Sequence, residues 1–131
     1  MNNKKSHFYK VTGELNNGEL SFNVASWKLL IETNRYYEIK HEDGTVKRLY
    51  KEKLNVVTDE TKHYAGGYLC CSAFCLHEDI DDLQLCIIQQ LETCIEGYRC
   101  KLELNQNAIN KQYLKRNIAN QEPQASALGS M

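Results

Sequence analysis

With 131 residues, 42% of them hydrophobic and 25% charged, the chain has the length and composition of one globular domain, which argues against wholesale disorder and a membrane class. Its formal net charge of −1 is unevenly spread: residues 1–66 carry +2, residues 67–98 carry −6 without a single Lys or Arg, and residues 99–131 carry +3. No apolar run approaches the ~20 residues of a membrane span, and the lysine-containing residues 1–5 lack the apolar core of a signal peptide. The expectation is a soluble, cytoplasmic protein with no membrane partner, its six cysteines reduced.

Residues 1–6 are polar and expected to be disordered. Residues 8–15 and 20–24 are apolar-alternating runs on either side of Asn16, Asn17, Gly18 and Glu19, and the Asn-Gly pair predicts a hairpin because both residues tolerate positive φ. Residues 25–32 (ASWKLLIE) suit a short helix or one more buried strand, and are read as strand. A second hairpin is predicted from residues 36–41 and 45–50 around Glu42, Asp43 and Gly44. With Asp43 and Gly44 as the turn pair, Tyr37, Ile39 and His41 would share a face with Val46, Arg48 and Tyr50. Residues 51–57 read as a short strand or turn, and residues 58–67, polar and ending in glycine, as a loop. Residues 67–76 (GYLCCSAFCL) read as a strand apolar or small on both faces: Tyr68, Cys70, Ser72, Phe74 and Leu76 on one, Leu69, Cys71, Ala73, Cys75 and His77 on the other. Such a strand needs a cover, and the segment that follows supplies one.

From Asp79 to about Arg116 runs the longest periodic signal. Ile80, Leu83, Ile87, Leu91, Cys94, Tyr98, Leu102 and Ile109 recur in steps of three and four, with Asn105 filling one polar step. At the period of an α-helix they form one narrow stripe. Asp79 is a candidate N-cap, and Asp81 and Asp82 complement the dipole in the first turn. Gly97 opens an alternative in which the helix stops at Glu96 and residues 98–104 form a strand. The continuous helix is preferred, because the stripe passes Gly97 without a phase break. Nearly forty residues at about 1.5 Å each reach roughly 60 Å, more than one small domain covers, so a dimer or a partner groove is expected. The expected protein interface comprises Ile87, Leu91, Tyr98, Leu102 and Ile109 together with Glu78, Asp79, Asp81 and Asp82.

The cysteines Cys70, Cys71, Cys75, Cys86, Cys94 and Cys100 contain no CxxC pair. As buried small thiols they need no metal; should zinc bind, a turn at Ser72 or Ala73 would make Cys71, Cys75 and His77 its ligands. Cys86, off the helical stripe, is the expected exposed thiol. The cysteines lie in the most acidic third of the chain, which disfavours a nucleophilic thiolate, and no phosphate-binding glycine motif is present. No enzyme activity and no cofactor are expected. Lys47, Arg48, Lys51 and Lys53, with Tyr36, Tyr37 and Tyr50 near by, form a basic, aromatic-interleaved group suited to single-stranded nucleic acid. A sequence pI near 6.4 opposes a broad basic footprint. Non-catalytic binding of protein, with self-association as a homodimer, is therefore the leading expectation, and a nucleic-acid-binding regulator the alternative.

The stretch YYEIKHEDGTVKRLYKEKLNVV (residues 36–57), followed by a strand leading into the helix from Asp79, resembles small accessory proteins of bacteriophages and mobile elements of bacteria with AT-rich genomes. That resemblance implies stoichiometric binding rather than catalysis, in some members inhibition of a host defence nuclease, and carries over no site residues. Independently, the six acidic groups without one base between residues 67 and 98 lead to the expectation that Glu78 to Asp82 could occupy a basic groove on a nucleic-acid enzyme. The fold class expected is α+β: a small antiparallel sheet or SH3-like half-open barrel over residues 7–77, one long amphipathic helix over residues 78–118 packed on it and extending beyond, and a disordered tail at 119–131.

Overall fold

The structure, a computed structural model, describes residues 6–121. The expected disordered start and tail fall outside the described residues, except for Ser6 and for residues 119–121, whose backbone continues the helix. Six strands are described: β1 (His7–Asn16), β2 (Glu19–Glu32), β3 (Tyr36–His41), β4 (Val46–Tyr50), β5 (Thr58–His63) and β6 (Tyr68–Cys75). They form one sheet in the order β4-β3-β2-β1-β6-β5, each neighbouring pair antiparallel. The long helix α1 (Ile80–Gln121) follows. Beyond β4, Leu54 bridges to Phe74 of β6, and Asn55 N–H donates to the Phe74 carbonyl at 2.8 Å. The β4 end is thereby drawn round toward β6, and the sheet curls into a half-barrel, the α+β architecture expected.

The first hairpin forms as its Asn-Gly pair requires. Asn16 pairs with Glu19, leaving Asn17 (φ 52) and Gly18 (φ 91) as a two-residue turn with consecutive positive φ, the geometry that follows strand twist. β2 then runs unbroken through Trp27 and Ile31, so residues 25–32 are strand as read.

The second hairpin differs by one residue. Gly44 N–H donates to His41 O and His41 N–H to Thr45 O, while Gly44 takes φ 96. That is a three-residue loop closed by a glycine bulge rather than a two-residue turn. The extra residue moves the register: Tyr37 faces Leu49 and Ile39 faces Lys47. Tyr37, Ile39 and His41 therefore share their face with Lys47 and Leu49, and the expected partners Val46, Arg48 and Tyr50 lie on the other. The expected loop at 58–67 is corrected as well, since it contains β5. Its sequence TDETKH has no apolar alternation because β5 is an edge strand, exposed along most of its length, and polar side chains protect such an edge from pairing with other chains.

The strand β6 is buried on both faces because each has its own cover. On one face Leu69, Cys71, Ala73 and Cys75, with Val11 of β1, pack against Leu83, Ile87, Leu91 and Cys94 of α1. On the other, Phe74 joins Phe8, Trp27, Tyr37, Ile39 and Leu49 inside the curl. The helix seats closely enough that a Cβ at Gly13 of β1 would collide with the fully buried Ile87 side chain and press on the Phe22 ring. Ile87 is branched at that point and has no room to yield, so Gly13→Ala is expected to cost about 1–3 kcal/mol as overpacking, read from a denaturant midpoint.

Asp79 ends a 3-10 turn (His77–Asp79) that leads directly into α1, with Asp81 and Asp82 in the first helical turn. Gly97 does not interrupt the helix, and residues 98–104 are helical. The chain divides into two units after Cys94. The first contains the sheet and the start of α1; the second is the remaining helical segment.

Candidate functional site

Two surfaces and one buried cluster collect the residues that could carry function. The first surface is the helical segment after Cys94. Among residues 95–118 all are exposed except the half-buried Tyr98. Leu102, Leu104, Ile109, Tyr113, Leu114 and Ile118 are all in solvent, Leu104 and Tyr113 to 68% and 64%. Arg99 bridges Glu96 at 2.5 Å and Glu103 at 3.2 Å, helix-surface pairs of the i, i+3 and i, i+4 kind.

The expected interface is split by this arrangement. Ile87 and Leu91 are 0% and 2% exposed and belong to the protein's own core, so their assignment to a partner interface is corrected. Leu102 and Ile109 are open. At the helix start Glu78, Asp81 and Asp82 are exposed and Asp79 half-buried. Sequence periodicity located the stripe but not Leu104, Leu114 and Ile118, which lie on the opposite side of the helix.

The second surface is a cleft of about 180 Å³ at the seam of the half-barrel, between β4 and the β5–β6 edge. Lys10, Lys47, Arg48 and Lys53 line it with Glu60, Ser72 and Phe74. The one-residue register change puts Lys47 here: its ammonium lies 4.9 Å from the Phe74 ring centre and 6.0 Å from that of Trp27. Lys10 sits 5.9 Å from the same Phe74 ring and 3.5 Å from Glu60. Ser72 Oγ donates to Glu60, and this bond with the ammonium of Lys10 holds the Glu60 carboxyl below its ordinary range despite partial burial. Arg48, one residue on, lies over the Tyr36 ring at 4.5 Å. Of the four expected nucleic-acid contacts, Lys47, Arg48 and Lys53 border the cleft, Arg48 with its guanidinium on the other face of β4 over Tyr36. Lys51 does not: it pairs with Glu32 at 2.7 Å and lies over Tyr37. Lys10 was not legible as a site residue because it is a lone lysine in an apolar-alternating strand.

The buried cluster is of thiols. Cys70, Cys71, Cys75 and Cys94 are buried, Cys86 and Cys100 exposed. Burial, with the hydrogen bond to Asp59, pushes the Cys71 thiol up to about 12, and burial pushes Cys75 up to about 11. Cys71 and Cys75 stay in a regular strand, and His77 packs its ring edge-on to Tyr9. Among the described residues it is instead Asp59, Cys71 and Cys94 that bring three ligand-type atoms together. A thiol reagent applied to the native reduced protein should find two fast-reacting groups, Cys86 and Cys100, and all six only after unfolding. Cys86 should be the faster, because the Glu96 carboxylate raises the Cys100 pKa.

No family model, no curated protein and no solved structure matches the chain. Among the described residues no helix is long and apolar enough to cross a membrane.

Proposed function

We propose that the chain is a non-catalytic binding protein that self-associates through residues 95–118 of α1, its partner a second copy of itself. One observation carries this reading. Tyr98, Leu102, Ile109 and Tyr113 lie within about 60° of one another around the helix, and their spacings of four, seven and four read the same in both directions from the Asn105–Gln106 midpoint. An antiparallel pair with a two-fold axis at that midpoint sets Tyr98 against Tyr113 and Leu102 against Ile109 twice over, an isologous contact. Exposed apolar patches of this extent mark interaction surfaces in water-soluble chains. Sedimentation equilibrium tests it: an even-numbered oligomer supports the reading, and a monomer at ~100 μM, about the weakest affinity such a surface should show, overturns it.

A second reading rests on the cleft at the barrel seam, which four cationic residues border together with one carboxylate. At about 180 Å³ it is smaller than the roughly 300 Å³ at which small-molecule pockets begin, so it suits one phosphate of a longer strand rather than a whole cofactor. Single-stranded nucleic acid following that seam would give binding that weakens steeply with salt. Fluorescence anisotropy of labelled oligo(dT) across a salt series reads this directly, and salt-independent or absent binding removes it.

A further inference from the structure

Asp59 on the edge strand β5, Cys71 on β6 and Cys94 on α1 come from three separate elements, yet their ligand atoms lie within 4.8 Å of one another. Cys71 Sγ is 3.5 Å from Asp59 Oδ1, and Cys94 Sγ is 3.7 Å from the same oxygen. Gln90, one turn before Cys94, adds a fourth corner: its amide nitrogen is 2.9 Å from Asp59 Oδ1 and 3.8 Å from Cys94 Sγ. A tetrahedral ion with metal–sulfur bonds of about 2.3 Å and metal–oxygen bonds of about 2.0 Å has S···O edges of roughly 3.5 Å. The protein already holds the two S···O edges that meet at Asp59 Oδ1.

We propose that Cys71, Cys94 and Asp59 bind one thiophilic divalent cation of the Zn2+ class, with the Gln90 amide oxygen as fourth ligand. The amide reaches that role by a half-turn about its last bond, which exchanges its oxygen and nitrogen. Each thiol gives its proton to solvent as the metal–sulfur bond forms. Without the ion, three donors crowd onto one carboxylate oxygen, more than its lone pairs serve well, whereas an ion at their centre uses every one of these atoms. The outer support is in place: Lys62 Nζ holds the other Asp59 oxygen at 3.2 Å, and the Tyr64 hydroxyl donates to the Cys94 carbonyl at 3.3 Å. The Asp59 side chain is 30% exposed, which leaves an entry path on one side while the thiols stay buried. The bound ion would tie β5, β6 and the start of α1 together, a structural role independent of self-association through residues 95–118.

Co2+ titration of the reduced full-length protein tests this. The expected result is saturation at one equivalent, with near-ultraviolet thiolate-to-cobalt charge transfer, intense visible bands of a tetrahedral ion, and displacement by Zn2+. Asp59→Asn and Cys94→Ser should each weaken binding by at least about 100-fold, more than loss of an outer-shell contact does. The double variant Cys86→Ser/Cys100→Ser, which removes the exposed thiols, should bind as the parent does. Should Cys94→Ser fail to fold, Asp59→Asn on the exposed edge strand decides alone. No stoichiometric complex, binding that survives Asp59→Asn, or binding lost with Cys86 and Cys100 would each overturn the site.

Discussion

Replacing Leu102 and Ile109 together with lysine is expected to dissociate the protein to a monomer and lower its self-association constant by at least about 100-fold. The reasoning is additive. Each apolar side chain removed from an interface forfeits about 1.5 kcal/mol or more when fully buried, and a two-fold axis presents every substitution twice. Even at half that value for incomplete burial, four lost side chains give about 3 kcal/mol, and tenfold in affinity corresponds to about 1.4 kcal/mol. Both residues are half-exposed in the single chain, at 47% and 49%, so the sheet-bearing unit should keep its denaturant midpoint. Ile87→Ala is the contrasting variant. Ile87 is fully buried against the sheet, and its truncation should cost about 2–5 kcal/mol of stability. Sedimentation and unfolding measured on both variants would separate one helix into the part the protein covers itself and the part left for a second copy. A monomeric parent, or a double variant that remains associated, would sink the self-association reading.

That division was not legible in the sequence, and the reason is physical. Helical periodicity records that a face is apolar; it does not record what covers it. Leu91 and Leu102 occupy the same stripe, yet one packs on β1 and β6 and the other is open. The two hairpins were legible because Asn-Gly and Asp-Gly restrict local backbone geometry, but the number of loop residues was not. One additional residue at Glu42–Gly44 moved Lys47 to the concave face and Arg48 off it. β5 was hidden for a different reason: as an edge strand it is held by backbone pairing to β6, which leaves no side-chain alternation to read. The Asp59–Cys71–Cys94 group was equally out of reach, since its members are twelve and twenty-three residues apart and meet only when β5, β6 and α1 are assembled.

Lys47→Glu with Arg48→Glu should lower affinity for oligo(dT) by about 100-fold at ~50 mM salt if the seam carries nucleic acid, and should flatten the dependence of log affinity on log salt by about 1.4, since each single-strand phosphate contact contributes roughly 0.7. The register makes Lys47 the more informative of the pair. Its ammonium is held over Phe74 beside Glu60, so a glutamate there removes a phosphate contact, a cation–π contact and a counter-charge to Glu60 at once. Lys47→Gln separates these effects, because it removes the charge without adding repulsion. An affinity loss shared by both replacements, with the slope reduced in each, assigns the cation to phosphate. A loss confined to the glutamate variant, with a falling unfolding midpoint, assigns it to holding the curl closed. Lys51→Glu is the internal reference: Lys51 already spends its charge on Glu32 at 2.7 Å, so its replacement should change affinity by less than about threefold, within the range of a surface pair. Equal effects at Lys47 and Lys51 would mean that the protein's general field, and not the seam, attracts the strand.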